Sequence, residues 1–419
     1  MDKLKVGILG LRRGHSHFRN FLLTDEAEVI GAADRIQQWR DRAAETAAGL
    51  DQSVRLVGEF DELLKMRPDA IVVSSNGRVQ AEHTIQALEA GCHVLSEVPG
   101  AFTQEEILHI AAAVQATGKQ YMLAENSSFL AFLRYWRRWI VEGRFGAISM
   151  ADGEYLHYLP TTMVNEDGEQ FTPQQVREQG ITGVRPLWRS DMAPIQYLTH
   201  DLGPLLEVLD DRVVSVNCVE APWWNSETPL RADGQYALFK TARGRLIRIL
   251  VTLNTRRPGA HNYRIFGTEG SAEWYSHEGF CRRLDRTREE SAGWECVDIG
   301  TARDDVPETA SGHGGTDIWT AITFARALLA GAEQFDRRAY SGSRILLLVS
   351  DGAAQIDDEM RGKIRRAFGD RALIVSIINF MSQVGPRVQC LSAIGITCAF
   401  AALHSHCRPY GHGTGKNEM

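Results

Sequence analysis

Lys5, Val6, Gly7, Ile8 and Leu9 form a short apolar run that stops at Gly10, and Gly14 follows four residues after it. Such a run closed by glycine reads as a buried strand entering a tight turn. Residues 15–23 carry a helical pattern and lead to a second apolar run at 28–33, which Asp34 closes. Strand, glycine turn, helix and strand make a βαβ unit, and that unit commits the chain to a parallel sheet covered by helices. It also predicts a ligand. Gly10 and Gly14 let the backbone approach a pyrophosphate, the helix N-terminus offers unpaired N–H groups to it, and an acid after the second strand accepts bonds from ribose hydroxyls. Asp34 stands 24 residues after Gly10, close to the usual offset of about 20.

The glycine pattern departs from the usual fingerprint at its middle position, where Arg12 stands. The expectation is that Arg12 turns outward or pairs with a phosphate oxygen. Asp34 predicts NAD, because a carboxylate repels a 2′-phosphate; Arg35 beside it leaves NADP open.

Helix and strand patterns alternate up to about residue 125, as in a doubly wound sheet. The apolar run 70–74 is a buried parallel strand, followed by a helix over 79–90; 93–96 is the next strand, 104–117 a helix and 120–124 a last strand. Phe129, Phe132, Trp136 and Trp139 fall at helical spacing and predict a packing face. From about residue 148 the rhythm changes to longer strands with polar alternation. Residues 235–241 and 245–253 form a hairpin across Ala242, Arg243 and Gly244, and 263–266 and 271–275 form another across Gly267, Thr268, Glu269 and Gly270. The fold class expected is α/β: an N-terminal Rossmann doubly wound parallel sheet, then a C-terminal α/β domain with a largely antiparallel sheet. The domains expected are 1–125, 126–339 and an atypical segment, 340–419.

The formal charge of -7 argues against a nucleic-acid partner, which draws on a basic surplus. The first strand begins at Lys5 with no apolar leader before it, so the expected compartment is the cytoplasm. The seven cysteines are odd in number and lack any Cys-x-x-Cys spacing, which predicts reduced thiols and no metal site. The apolar run 388–403 has 16 residues, short of the roughly 20 a membrane span needs.

The N-terminal fingerprint, Ser74-Ser75-Asn76, His83, Glu97-x-Pro99 and the Gly267 to Gly270 turn together resemble the Gfo/Idh/MocA oxidoreductases, over residues 3–338. The resemblance implies a nicotinamide cofactor, a sugar or cyclitol substrate, and a homo-oligomer built through the second-domain sheet. Most members carry Glu-Lys-Pro where this chain has Val98, and Asp-x-Gly-x-His where Asp201 is followed by Leu205. Both usual proton-handling groups are absent. Ser96-Glu97-Val98-Pro99, Tyr197-x-x-His200 and Gly312-His313-Gly314-Gly315 are similar to the branch of NAD-dependent α-N-acetylgalactosaminidases, in which transient oxidation of a ring hydroxyl permits elimination of the glycosidic bond.

The resemblance and the residue chemistry together give the expected site. His200 is the first choice for the proton acceptor, Tyr197 is a second acid/base group or a substrate holder, and His157 lines the pocket from a strand. Gly10, Arg12, Gly14, Asp34, Arg35, Asn76, Glu97 and Pro99 are expected around the cofactor, and Tyr155, Asp201 and His313 around the substrate. A helix is expected to start near Leu202, with a structural alternative in which His200 caps it. After residue 339 the family pattern stops; 340–380 weakly resembles the end of a von Willebrand factor A domain without its metal loop. Three functions stay open at this level: a sugar or cyclitol dehydrogenase, a glycoside hydrolase that uses NAD without net redox change, and a cofactor-binding protein without turnover.

Overall fold

The computed structural model describes residues 3–225, 231–287, 293–299, 312–331, 345–350 and 373–378. The first half alternates strictly: β1 (Leu4–Leu9), α1 (His15–Leu22), β2 (Ala27–Ala33), α2 (Gln37–Ala48), β3 (Arg55–Val57), α3 (Phe60–Leu64), β4 (Ala70–Val73), α4 (Gly77–Glu89), β5 (His93–Ser96), α5 (Gln104–Thr117) and β6 (Tyr121–Leu123). The strands form one parallel sheet in the order β3-β2-β1-β4-β5-β6. The order reverses between β1 and β4, so the crevice beyond the C-terminal ends of those strands is the ligand-binding end of a doubly wound fold. Apolar side chains alternate between the two faces: Val6, Ile8 and Val72 pack on one side with Phe18 and Phe21 of α1, while Ile71 and Val73 pack on the other with Leu63, Ala87 and Ile110.

The second half comprises α6 (Ala131–Val141), β7 (Ile148–Leu156), β8 (Met163–Val164), β9 (Gln170–Phe171), α7 (Pro173–Gln179), β10 (Arg185–Pro186), α8 (Thr199–Leu209), β11 (Val213–Glu220), β12 (Gly234–Thr241), β13 (Leu246–Thr252), β14 (Ala260–Gly267), β15 (Gly270–Tyr275), β16 (Phe280–Leu284) and β17 (Glu295–Asp298). Its main sheet runs β11-β12-β13-β7-β14-β15-β16-β17, with β10-β8-β9 as a small separate sheet. All its pairings are antiparallel except β13 with β7, because β7 is inserted between two hairpins that come later in the chain. α6 buries Phe132, Trp136 and Trp139 against this sheet, and Phe132 stacks on Trp274 with ring centres 4.6 Å apart. Phe129 leaves the expected stripe. It lies in the 3-10 turn Asn126–Phe129 before α6 and packs with Ile318, Trp319 and Ile322.

α9 (Thr316–Leu329) follows the second sheet in sequence yet returns to the first. Its Ala321, Phe324, Ala325 and Ala327 join the core that α1 shares with β1 and β2. The remaining described strands, β18 (Ile345–Ser350) and β19 (Leu373–Ile378), pair in parallel. The rest of the 340–380 segment and the 388–403 run lie outside the described residues. Cys92, Cys218, Cys281 and Cys296 are free thiols. Among the described residues no helix is long and apolar enough to cross a membrane.

Candidate active site

The glycine turn is shaped for close approach. Gly10 has φ +86°, and a Cβ on it would meet the Ser74 carbonyl oxygen at 2.4 Å; a Cβ on Gly14 would meet the Gly10 oxygen at 2.1 Å. Only glycine fits either position. Helix α1 starts at His15 with no side-chain cap, which leaves its first N–H groups facing the turn. Asp34 closes β2 and fixes the turn from the other side: its carboxylate accepts from the Leu11 amide at 2.7 Å and the Ile36 amide at 2.9 Å. Arg12 and Arg35 are exposed. These features fit a dinucleotide diphosphate over the turn.

Glu97, at the end of β5, accepts from His17 Nε2 at 2.6 Å and Arg13 Nη2 at 2.7 Å, and its other oxygen accepts from the Val98 amide at 3.1 Å. Burial disfavours its charge, but Arg13 and then His17 override that and hold its pKa down at about 2. Arg13 also donates to Asp317 of α9 at 2.8 Å. Asp317 takes further bonds from Ser16 Oγ and Asn126 Nδ2, both at 2.7 Å, and from His313 Nδ1 at 3.0 Å. Its carboxyl stays well below the usual range despite burial, held there by His313 and Arg13. His313 therefore stands beside the N-terminus of α1, held by Asp317. Asn76 accepts from the Arg78 amide at 3.0 Å and caps α4. The Pro99 carbonyl accepts from Gln80 Nε2 at 2.9 Å, after a cis Val98-Pro99 bond.

Several of the residues expected to act on or hold the substrate meet around Tyr155. Its ring stacks on Tyr197, centres 5.2 Å apart at 2°, and on His200, 5.2 Å apart at 16°. His157 lies 4.2 Å from it, and His261 meets it edge-on at 4.9 Å. The sheet register explains the last contact, since Tyr155 of β7 stands directly opposite His261 of β14. Two pairs further along, Gly153 faces Tyr263, and a Cβ on Gly153 would meet Asp201 Cβ at 2.7 Å. The missing side chain lets the first turn of α8 lie against the sheet, which delivers His200 and Asp201 to the cluster.

That first turn begins earlier than expected. α8 starts at Thr199, not Leu202, so His200 is inside the helix and does not cap it. Its Nδ1 donates to Glu125 Oε1 at 2.8 Å, while the same oxygen accepts from the Ser127 amide at 3.0 Å. Burial opposes an imidazolium, yet the Glu125 carboxylate outweighs it and raises the His200 pKa. His157 goes the other way: burial and then His261 push it down to about 4. Burial, followed by the charges of Tyr197 and Asp201, lifts Tyr155 well above its ordinary range and keeps it protonated. Asp201 is fully buried, its pKa raised by that burial, with Oδ1 3.4 Å from His261 Nδ1.

Glu125, Asn126, His261, Tyr263 and Asp317 join these clusters, and the sequence motifs did not single them out. His261 had a signal in strand alternation, because it shares a face with Tyr263; Glu125, after a three-residue strand, had none. Residues 4–125 match the family described as "Oxidoreductase family, NAD-binding Rossmann fold". The N-terminal domain is a Gfo/Idh/MocA domain. A "Glycosyl hydrolase family 109 protein" of Porphyromonas gingivalis is 25% identical over 306 residues, covering 68% of this chain and 62% of the relative. Another, "Glycosyl hydrolase family 109 protein 2" of Akkermansia muciniphila, is 23% identical over 407 residues, 85% of this chain and 81% of its own. A levoglucosan dehydrogenase in complex with NADH and levoglucosan superposes with a TM-score of 0.62 at 20% identity, over 87% of this chain and 98% of the other. The Gfo/Idh/MocA domain is thus followed by a second domain whose fold recurs in that dehydrogenase.

Proposed function

We propose that this protein is an NAD-dependent oxidoreductase that removes a hydride from a sugar or cyclitol carbon, with His200 taking the hydroxyl proton. The observation that carries the reading is the His200–Glu125 pair set in the Tyr155/Tyr197 stack. Gly10, Gly14, Asp34 and the start of α1 would hold the dinucleotide, whose nicotinamide supplies the hydride acceptor. With Nδ1 donating to Glu125, the neutral imidazole presents the Nε2 lone pair to a hydroxyl. The imidazolium formed on proton transfer is then stabilised by a carboxylate already in place, at no cost of reorganisation. Tyr155 and Tyr197 offer a flat wall and hydroxyls to a sugar ring, and the neutral His157 adds a further polar contact. Exposed Val219, Tyr236, Leu238 and Leu246 on the second sheet support self-association through that face.

A second reading is favoured by the names of the sequence relatives: the same proton transfer would open a glycoside elimination, with no net change in NAD. Purified protein incubated with NAD, levoglucosan and an aryl α-N-acetylgalactosaminide separates the two. NADH accumulation supports the dehydrogenase, and aryl alcohol release without NADH supports the hydrolase. His200→Ala is expected to lower the observed turnover about 10²–10⁴-fold with dinucleotide affinity kept; near wild-type turnover would falsify the role given to His200.

A further inference from the structure

α8 contains Pro204 four residues after His200. In an α-helix the N–H of the later residue would bond the His200 carbonyl, but proline has no N–H, and its ring pushes that carbonyl away from the axis. The carbonyl does find a donor. Tyr263 Oη, on β14, donates to the His200 carbonyl at 2.7 Å. The ring behind that hydroxyl is fully buried, 5.0 Å from Phe132 and 5.8 Å from Trp274, so the donor is fixed by packing. It reaches the helix because Gly153, opposite Tyr263 in the sheet register, leaves α8 close to the strands.

We infer that Tyr263 is a positioning residue for the proposed reaction: its hydroxyl replaces the N–H that Pro204 removes, and so holds the first turn of α8 with His200 Nδ1 against Glu125. Helix and sheet are joined at the backbone of the residue whose side chain takes the proton. The link to catalysis rests on the reading of His200 given above, whereas the link between Tyr263 and the geometry of His200 is testable without any substrate. The groups facing His200 are the Glu125, Asp201 and Glu97 carboxylates, the His157 and His261 imidazoles, and the Tyr155 and Tyr197 phenols. Of these Glu125 alone bonds the imidazole. A small retreat of the helix turn therefore costs His200 its main charged partner while burial remains.

The test is an NMR titration of the full chain with isotope-labelled histidine, the His200 signal identified by its loss in His200→Gln. In Tyr263→Phe the His200 proton affinity is expected to fall about tenfold, one unit of pKa. Adding Pro204→Ala restores an N–H within the helix, and the Tyr263→Phe/Pro204→Ala protein is expected to recover at least half of that shift. A Tyr263→Phe shift of less than about twofold overturns the proposal, as does a shift that Pro204→Ala recovers by less than half. If Tyr263→Phe alone does not fold, the double variant decides: folded with a His200 titration near wild type it supports the proposal, and unfolded or strongly shifted it overturns it. Because no turnover is measured, a failure of the oxidoreductase reading leaves this result intact and separately readable.

Discussion

At the residue scale the proposed site rests on one carboxylate placed behind one imidazole. The sequence could propose His200 from Tyr197-x-x-His200 because the motif is local and its residue types suit the chemistry. Glu125 was not, since 75 residues separate it from His200 and a lone acid after a short strand looks like any other. The pair makes a pH prediction whose sign is fixed. Glu125 raises the His200 pKa against burial, so the neutral base appears only as pH rises through that raised value. Glu125→Gln removes the attraction and leaves the burial, so the acid limb of kcat/KM is expected to move to lower pH, with a reduced plateau as Nδ1 loses its ionised acceptor. A pH–rate profile with the limb unmoved, or moved to higher pH, contradicts the assignment.

At the scale of elements, the alternation of strands and helices was readable along the first half, and the two hairpins of the second sheet were readable from their turns. The return of α9 was not. Its sequence carries a helical pattern but nothing that says which sheet it covers, and the choice is made by Phe324 and three alanines packing beside α1. Asp317 anchors that return through Arg13, Ser16 and Asn126. Gly312 makes room for the anchor: at φ +85° a Cβ would lie 1.9 Å from Asp317 Oδ2 and 2.3 Å from Ser16 Oγ. Gly312→Ala is therefore expected to destabilise the protein by roughly 2–3 kcal/mol, since it combines a backbone penalty with displacement of a buried carboxylate. Urea unfolding measures this, and a loss below about 0.5 kcal/mol would mean that the anchor yields freely.

For the molecule as a whole, the returning helix α9 is tied to the first sheet by ionised groups around Arg13, and acid should loosen that connection. Glu97 has its folded pKa depressed to about 2 from an ordinary 4.5, and Asp317 is depressed in the same direction. A depressed carboxylate contributes stability that is fully present above the unfolded value and is lost as pH falls through the folded one. The window for Glu97 is therefore from about pH 4.5 down to about 2, and the contribution above it is on the order of 3 kcal/mol. Glu97→Gln keeps the size and an acceptor oxygen but cannot ionise. Urea midpoints measured across pH should show the variant well below wild type at neutral pH, with the gap closing as pH approaches 2 and wild type loses the same charge. A gap that stays constant over that range would assign the effect of Glu97 to packing and take the Arg13–Glu97–Asp317 chain out of the account of how α9 stays joined to the first sheet.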